Sequence, residues 1–154
     1  MNSKYLFLII LVGLSVFAVG CVWAKESNIT GNIVAVDAKS SDVQKLEIIH
    51  FHGTHQCTSC ITVGAYAEET VNTYFADEVK SGKITFAHIN GDLPENGELV
   101  MKYGVTSASL WLGTYSKNGR FSAEQNINVW YKIDNKEAYM TYLKGVIEQK
   151  LAGN

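Results

Sequence analysis

The run Leu46-Glu47-Ile48-Ile49-His50-Phe51-His52 is apolar on both faces and rich in β-branched residues, which suits a strand at the centre of a covered sheet. Past Gly53-Thr54-His55-Gln56 the pattern changes. Val63, Ala67, Val71, Tyr74 and Phe75 recur at spacings of three and four, the stripe of a helix that faces a core, and Cys60 extends that stripe backwards. A strand feeding a helix through a short turn restricts the fold to α/β arrangements. Ile84 to Asn90 is the next predicted strand, and Glu95 to Lys102 a short helix with Pro94 near its first turn. Ser109 to Tyr115 and Phe121 to Ile127 read as a hairpin around Ser116-Lys117-Asn118-Gly119. Asp134 with Glu137 forms a capping box before a final helix, whose apolar face is Tyr139, Tyr142, Leu143, Val146 and Ile147. Parallel strands need crossovers and the hairpin only a turn, so the order predicts a mixed β-sheet flanked by helices.

The first residues follow a different plan. Lys4 precedes an uncharged apolar stretch from Tyr5 to Ala24, the layout of a signal peptide. Ala18-Val19-Gly20-Cys21 is a loose lipoprotein box, which makes Cys21 the expected lipidation site; ordinary cleavage after Val22-Trp23-Ala24 and an uncleaved anchor are the alternatives. Each outcome puts the rest of the chain outside the cytoplasm, membrane-associated or secreted. Residues 25–42 read as a polar tether with one short apolar run, Ile33 to Val36, and residues 43–154 as the folded domain. With 13 basic against 15 acidic residues and no basic run, there is no electrostatic footprint for nucleic acid.

The chemistry is expected at Cys57-Thr58-Ser59-Cys60, between the end of a strand and the start of a helix. Two intervening residues let the sulfurs bond within one turn, and the N–H groups and positive dipole end of the helix stabilise a thiolate. Cys57 at the turn is then the nucleophile, and Cys60 on the helix stripe resolves the mixed disulfide. His55 adds positive charge near the thiolate or relays a proton, and His50, under the dithiol, takes up the proton that Cys60 loses. His88 is expected as a hydrogen-bonded core residue of the second strand, and Trp111, Trp130 and Tyr131 as core or rim packing. Two other readings stay open. One is a copper- or zinc-binding module built on Cys57, Cys60 and His55, within the pattern H-x-H-x-x-H-x-C-x-x-C that begins at His50 and His52. The other is a redox-inert adaptor. A structural disulfide is disfavoured, because closing so short a loop gains little entropy.

Several segments resemble thioredoxins: the strand before Cys57-Thr58-Ser59-Cys60, then Ile89-Asn90-Gly91-Asp92, Met101-Lys102-Tyr103-Gly104-Val105 and Lys117-Asn118-Gly119. The closer resemblance is to the ArsF-type thioredoxin-like proteins, through Phe51-His52-Gly53-Thr54-His55-Gln56-Cys57, through Tyr74 to Ile84 and through Asn128-Val129-Trp130. It implies a thioredoxin-like fold over most of the chain beyond Val43. It also implies a thiol or disulfide substrate, on a protein or a small molecule, a separate redox partner for recycling, and no cofactor beyond the dithiol. Members of this branch are sometimes labelled nitroreductase subunits, but no flavin or nicotinamide motif is present. One departure from the family is plain. Ser109 stands where thioredoxins carry a cis-proline in the active-site loop facing the dithiol. A non-proline cis bond costs about 2.5 to 4 kcal/mol, so the peptide before Ser109 is expected trans.

Overall fold

A computed structural model describes residues 42–153. The apolar N-terminal segment, Cys21 and the short run at Ile33 to Val36 lie outside the described residues. Strand β1 (Val43–His52) leads into helix α1 (Thr58–Tyr74) and the short helix α2 (Ala76–Lys80). Strand β2 (Ile84–Asn90) and helix α3 (Gly97–Tyr103) follow, then β3 (Ser109–Ser116), β4 (Phe121–Gln125) and helix α4 (Lys136–Leu151). The sheet order is β2-β1-β3-β4, with β1 parallel to β2 and antiparallel to β3, and with β3 antiparallel to β4. This mixed sheet with helices on both faces is the arrangement expected of a thioredoxin-like fold.

The central place of β1 follows from its two apolar faces. Leu46 and Ile48 point to the layer of α1 and α4, where Val63, Ala67, Val71, Leu143 and Ile147 close a core with no solvent exposure. Ile49 and Phe51 point the other way, against Tyr103 at the end of α3 and its neighbours Leu99 and Val100. Burying side chains on both faces at about 25 cal/mol per Å² makes β1 the strand whose register is most strongly fixed.

Several boundaries and packing assignments differ from the sequence expectation. Tyr74 is 44% exposed rather than part of the buried stripe. The helix ends at that residue; Phe75, its C-cap, takes the buried position, and the Tyr74 ring lies 5.8 Å from the Lys144 ammonium. Thr70 is buried instead, its hydroxyl donating to the Tyr66 carbonyl at 2.6 Å. Pro94–Asn96 forms a 3-10 turn, so α3 begins at Gly97; it stops at Gly104, whose φ of 71° is the left-handed conformation that glycine adopts without strain. Strand β4 ends at Gln125, short of Ile127. The buried Asn126 turns the chain, its side chain accepting from the Tyr142 hydroxyl, and Ile127–Lys132 continues as 3-10 helix. The cap of α4 is Asn135, not Asp134: its side chain accepts the Ala138 N–H at 3.0 Å. Tyr131 is 80% exposed and does not pack as core.

Candidate functional site

Cys57 is the N-cap of α1, in extended conformation, so its side chain faces the free N–H groups of the first turn. Its Sγ accepts the Cys60 backbone N–H at 3.2 Å and lies 2.7 Å from the Cys60 Sγ; both cysteines are free thiols. Cys57 is exposed and Cys60 half-buried. The hydrogen bond from the Cys60 thiol, helped by the Cys60 N–H, lowers the Cys57 pKa below the ordinary thiol value. The same sulfur–sulfur hydrogen bond, with desolvation, raises that of Cys60. A single geometry thus separates the two thiols into one that ionises first and one that holds its proton.

The loop ahead of Cys57 is pinned by the end of β2. Asp92 Oδ2 accepts the Thr54 N–H at 2.7 Å, the Asn90 amide donates to Thr54 Oγ1 at 3.1 Å, and the Gly91 N–H donates to the His52 carbonyl at 2.8 Å. Asn90 and Asp92 belong to a segment that sequence reading singled out without giving either residue a part in holding this loop. The contact spans 38 residues of sequence, which no local pattern reveals.

His50 is 1% exposed, on the β1 face that packs under α1. Its ring pKa is lowered to about 4, first by burial and then by the neighbouring His88 and His52, while the Cys60 backbone carbonyl favours the protonated form. His50 Nδ1 lies 3.0 Å from His88 Nδ1, across a register that pairs these two residues directly. His50 Nε2 is buried without a hydrogen-bond partner. His88 corrects the expectation of a core residue. Its side chain is 38% exposed, and its Nε2 lies 3.3 Å from Glu68 Oε2 on α1. A strand next to a helix edge leaves that outer ring nitrogen open to solvent. His52 shares the face of His50, with ring centroids 5.5 Å apart, and its Nδ1 donates to the Gly53 carbonyl at 3.0 Å.

Not every candidate residue joins this cluster. His55 is exposed, and no hydrogen bond or ion pair of its ring reaches the sulfurs. Among the described residues no three His, Cys, Asp or Glu side chains converge as a metal-ligand set. Ser109 is 1% exposed; its hydroxyl donates to the Ser107 carbonyl at 2.7 Å and accepts the Trp111 Nε1–H at 2.8 Å, so it is spent within its own loop. No peptide bond among the described residues is cis. A cavity of about 200 Å³ lies between this loop and the segment before the cysteines, lined by His52, Gly53, Asp92, Val100, Thr106 and Ser107.

No protein-family model matches the chain, and no curated protein does. Among solved structures it is similar to thioredoxins. The Trx4 domain of ERdj5 is 14% identical, over 72% of this chain and 87% of that one, with a TM-score of 0.46. A thioredoxin from Thermus thermophilus is 16% identical, over 71% and 77%, with a TM-score of 0.45. Thioredoxin O2 from Arabidopsis thaliana is 17% identical, over 74% and 82%, with a TM-score of 0.43.

Proposed function

We propose that the chain is a thiol-disulfide oxidoreductase or redox carrier, working outside the cytoplasm and held at a membrane by its N-terminal apolar segment. The observation that supports this best is the Cys57 sulfur seated as N-cap of α1, accepting the Cys60 N–H with the second thiol sulfur 2.7 Å away. In this reading Cys57 attacks as thiolate: a bond forms between its sulfur and one sulfur of the substrate disulfide, and the other substrate sulfur leaves as a thiolate. Cys60 then loses its proton and attacks Cys57 Sγ. The Cys57–Cys60 disulfide forms and the remaining substrate sulfur departs. Two electrons have moved from the chain to the substrate, and a separate dithiol partner reduces the pair again; run backwards, the same steps oxidise a substrate dithiol. In this reading His50, on the β1 face that packs under α1, receives the proton. The sequence segments shared with ArsF-type thioredoxin-like proteins support the same class of chemistry.

The test is the equilibrium reduction potential of the Cys57–Cys60 pair, measured on the full chain in dithiothreitol or glutathione buffers. A value between about -270 and -120 mV, the span from thioredoxin to strong oxidants, is expected. A pair that never closes, or one that resists reduction below about -300 mV, overturns the reading. So does stoichiometric copper or zinc that is lost in Cys57→Ser.

A further inference from the structure

We propose that the base of the sheet, at the end of β1 away from the dithiol, is a docking surface for anionic lipid headgroups, built from Lys45, Lys83 and Lys102 around Tyr115. The inference rests on the membrane attachment proposed above and adds the face by which the domain meets the lipid. Lys45 on β1 pairs in register with Tyr115 on β3, and Tyr115 with Phe121 on β4. Lys83 immediately precedes β2, and its carbonyl accepts the Leu46 N–H at 2.8 Å, so it flanks Lys45 on the other side. The row crosses the whole sheet, and Lys102 reaches it from α3: its ammonium donates to the Tyr115 hydroxyl at 2.5 Å and stands 4.3 Å from the Phe121 ring centre. Lys45, Lys83 and Tyr115, with Gln44, Ser81 and Gly82, line a broad open depression, and no carboxylate among the described residues lines it.

The positive charge of this surface is not cancelled from within. Glu47 lies behind it, with a side chain only 18% exposed. One Glu47 oxygen takes the Lys45 ammonium at 2.8 Å; the other takes the hydroxyls of Tyr103 and Tyr115, at 2.9 and 2.8 Å. Glu47 thus offsets one ammonium group of the three, and neither Lys83 nor Lys102 has a carboxylate partner among the described residues. The other carboxylates near in sequence, Asp42, Asp77 and Glu78, do not line the depression. Two features favour a membrane over a soluble anion. The depression is shallow, which suits a plane of headgroups better than a single enclosed ion. The chain also enters the domain at this end: β1 begins at Val43, and residues 25–41 can carry it no farther than about 60 Å from the apolar segment even when fully extended. Tethering raises the effective concentration of headgroups, so a contact worth only about fivefold per lysine is enough to hold the base down. The 10 residues of β1 then lead away from the membrane and set the dithiol about 30 Å above the headgroups.

The test is lysine acetylation by a neutral reagent, read by mass spectrometry on the full chain in nanodiscs of phosphatidylcholine alone or of an equal mixture with phosphatidylglycerol. Lys83 and Lys102 are expected to react at least about fivefold more slowly on the anionic discs, and the difference is expected to disappear at about 1 M salt, where the screening length falls to about 3 Å. Lys136, on α4 across the sheet and paired with Glu69, reacts equally on both. Lys45 shares the protection in the wild type and loses it when Lys83→Gln and Lys102→Gln are combined. Equal rates on the two discs, a slowing that Lys136 shares, or one that survives high salt overturns the headgroup surface and leaves the membrane attachment intact. So does protection by inorganic phosphate in detergent without protection on the anionic discs, which would make the depression a small-anion site. A chain that stays with neither disc overturns the attachment and this surface together.

Discussion

Asp92 Oδ2 accepts the backbone N–H of Thr54 at 2.7 Å, so a carboxylate just beyond β2 fixes the loop that delivers Cys57 to the start of α1. Asn90 reinforces it by donating to the Thr54 hydroxyl and accepting the Asp92 N–H, both at 3.1 Å. A hydrogen bond to a charged acceptor contributes about 1.5 to 3 kcal/mol, less where water can replace it. Asp92→Ala is therefore expected to destabilise the domain by about 1 to 2 kcal/mol, with Asp92→Asn recovering part of that because its amide oxygen still accepts. Denaturant midpoints check this, and an alanine variant as stable as the parent would refute it.

The start of α4 offers a sharper comparison. Asn135 accepts the Ala138 N–H at 3.0 Å, whereas Asp134 lies one residue outside the cap. Removing an N-cap side chain costs about 1 kcal/mol, and a surface substitution away from such a feature stays within about 0.5 kcal/mol. Asn135→Ala should lower stability by about that first amount and Asp134→Ala hardly at all. A larger loss in Asp134→Ala than in Asn135→Ala would place the cap at Asp134 after all.

That one-residue slip shows where the sequence was legible and where it was not. Asp and Asn cap equally well, so the order Asp134-Asn135 leaves the choice to the backbone angles, which only packing of Tyr139 and Leu143 decides. The strand β1 was legible because residues apolar on both faces have only one place in a sheet, its centre. The cysteines were placed by the switch from strand to helix spacing. The roles of His88 and Asp92 were hidden for a shared reason. Each acts on a residue 38 positions away, His50 and Thr54, and such a pairing exists only once β1 and β2 are aligned in parallel.

Gly64 sits inside α1, where an alanine would ordinarily stabilise the helix by up to about 1 kcal/mol. Here a Cβ would stand 2.7 Å from His50 Cε1 and 2.9 Å from His88 Cε1, closer than side-chain carbons approach ring atoms. Overpacking a filled site costs about 1 to 3 kcal/mol, which outweighs the gain in propensity. Gly64→Ala should thus lower the unfolding midpoint rather than raise it. A more stable variant would mean that the two rings give way easily, and that the space above them is not held for them.

The lowered pKa of His50 makes a prediction about acid stability. The folded ring titrates at about 4 and the unfolded one near 6.5, so between these values the unfolded chain binds a proton that the folded chain refuses. Stability is therefore whole above the unfolded value and is lost as pH falls from about 6.5 toward 4, by up to about 3 kcal/mol from this one ring. His50→Gln keeps a polar side chain at the site but cannot titrate there. Denaturant unfolding at about pH 7.5 and about pH 4.5 should show the variant losing roughly 2 to 3 kcal/mol less than the wild type over that interval, whatever its absolute stability. The comparison isolates His50, because the two proteins differ at that residue alone. If the two proteins lose stability in parallel, His50 is protonated as readily in the folded state as in the unfolded one. The ring beneath Cys60 would then sit in a wetter place than its 1% exposure describes.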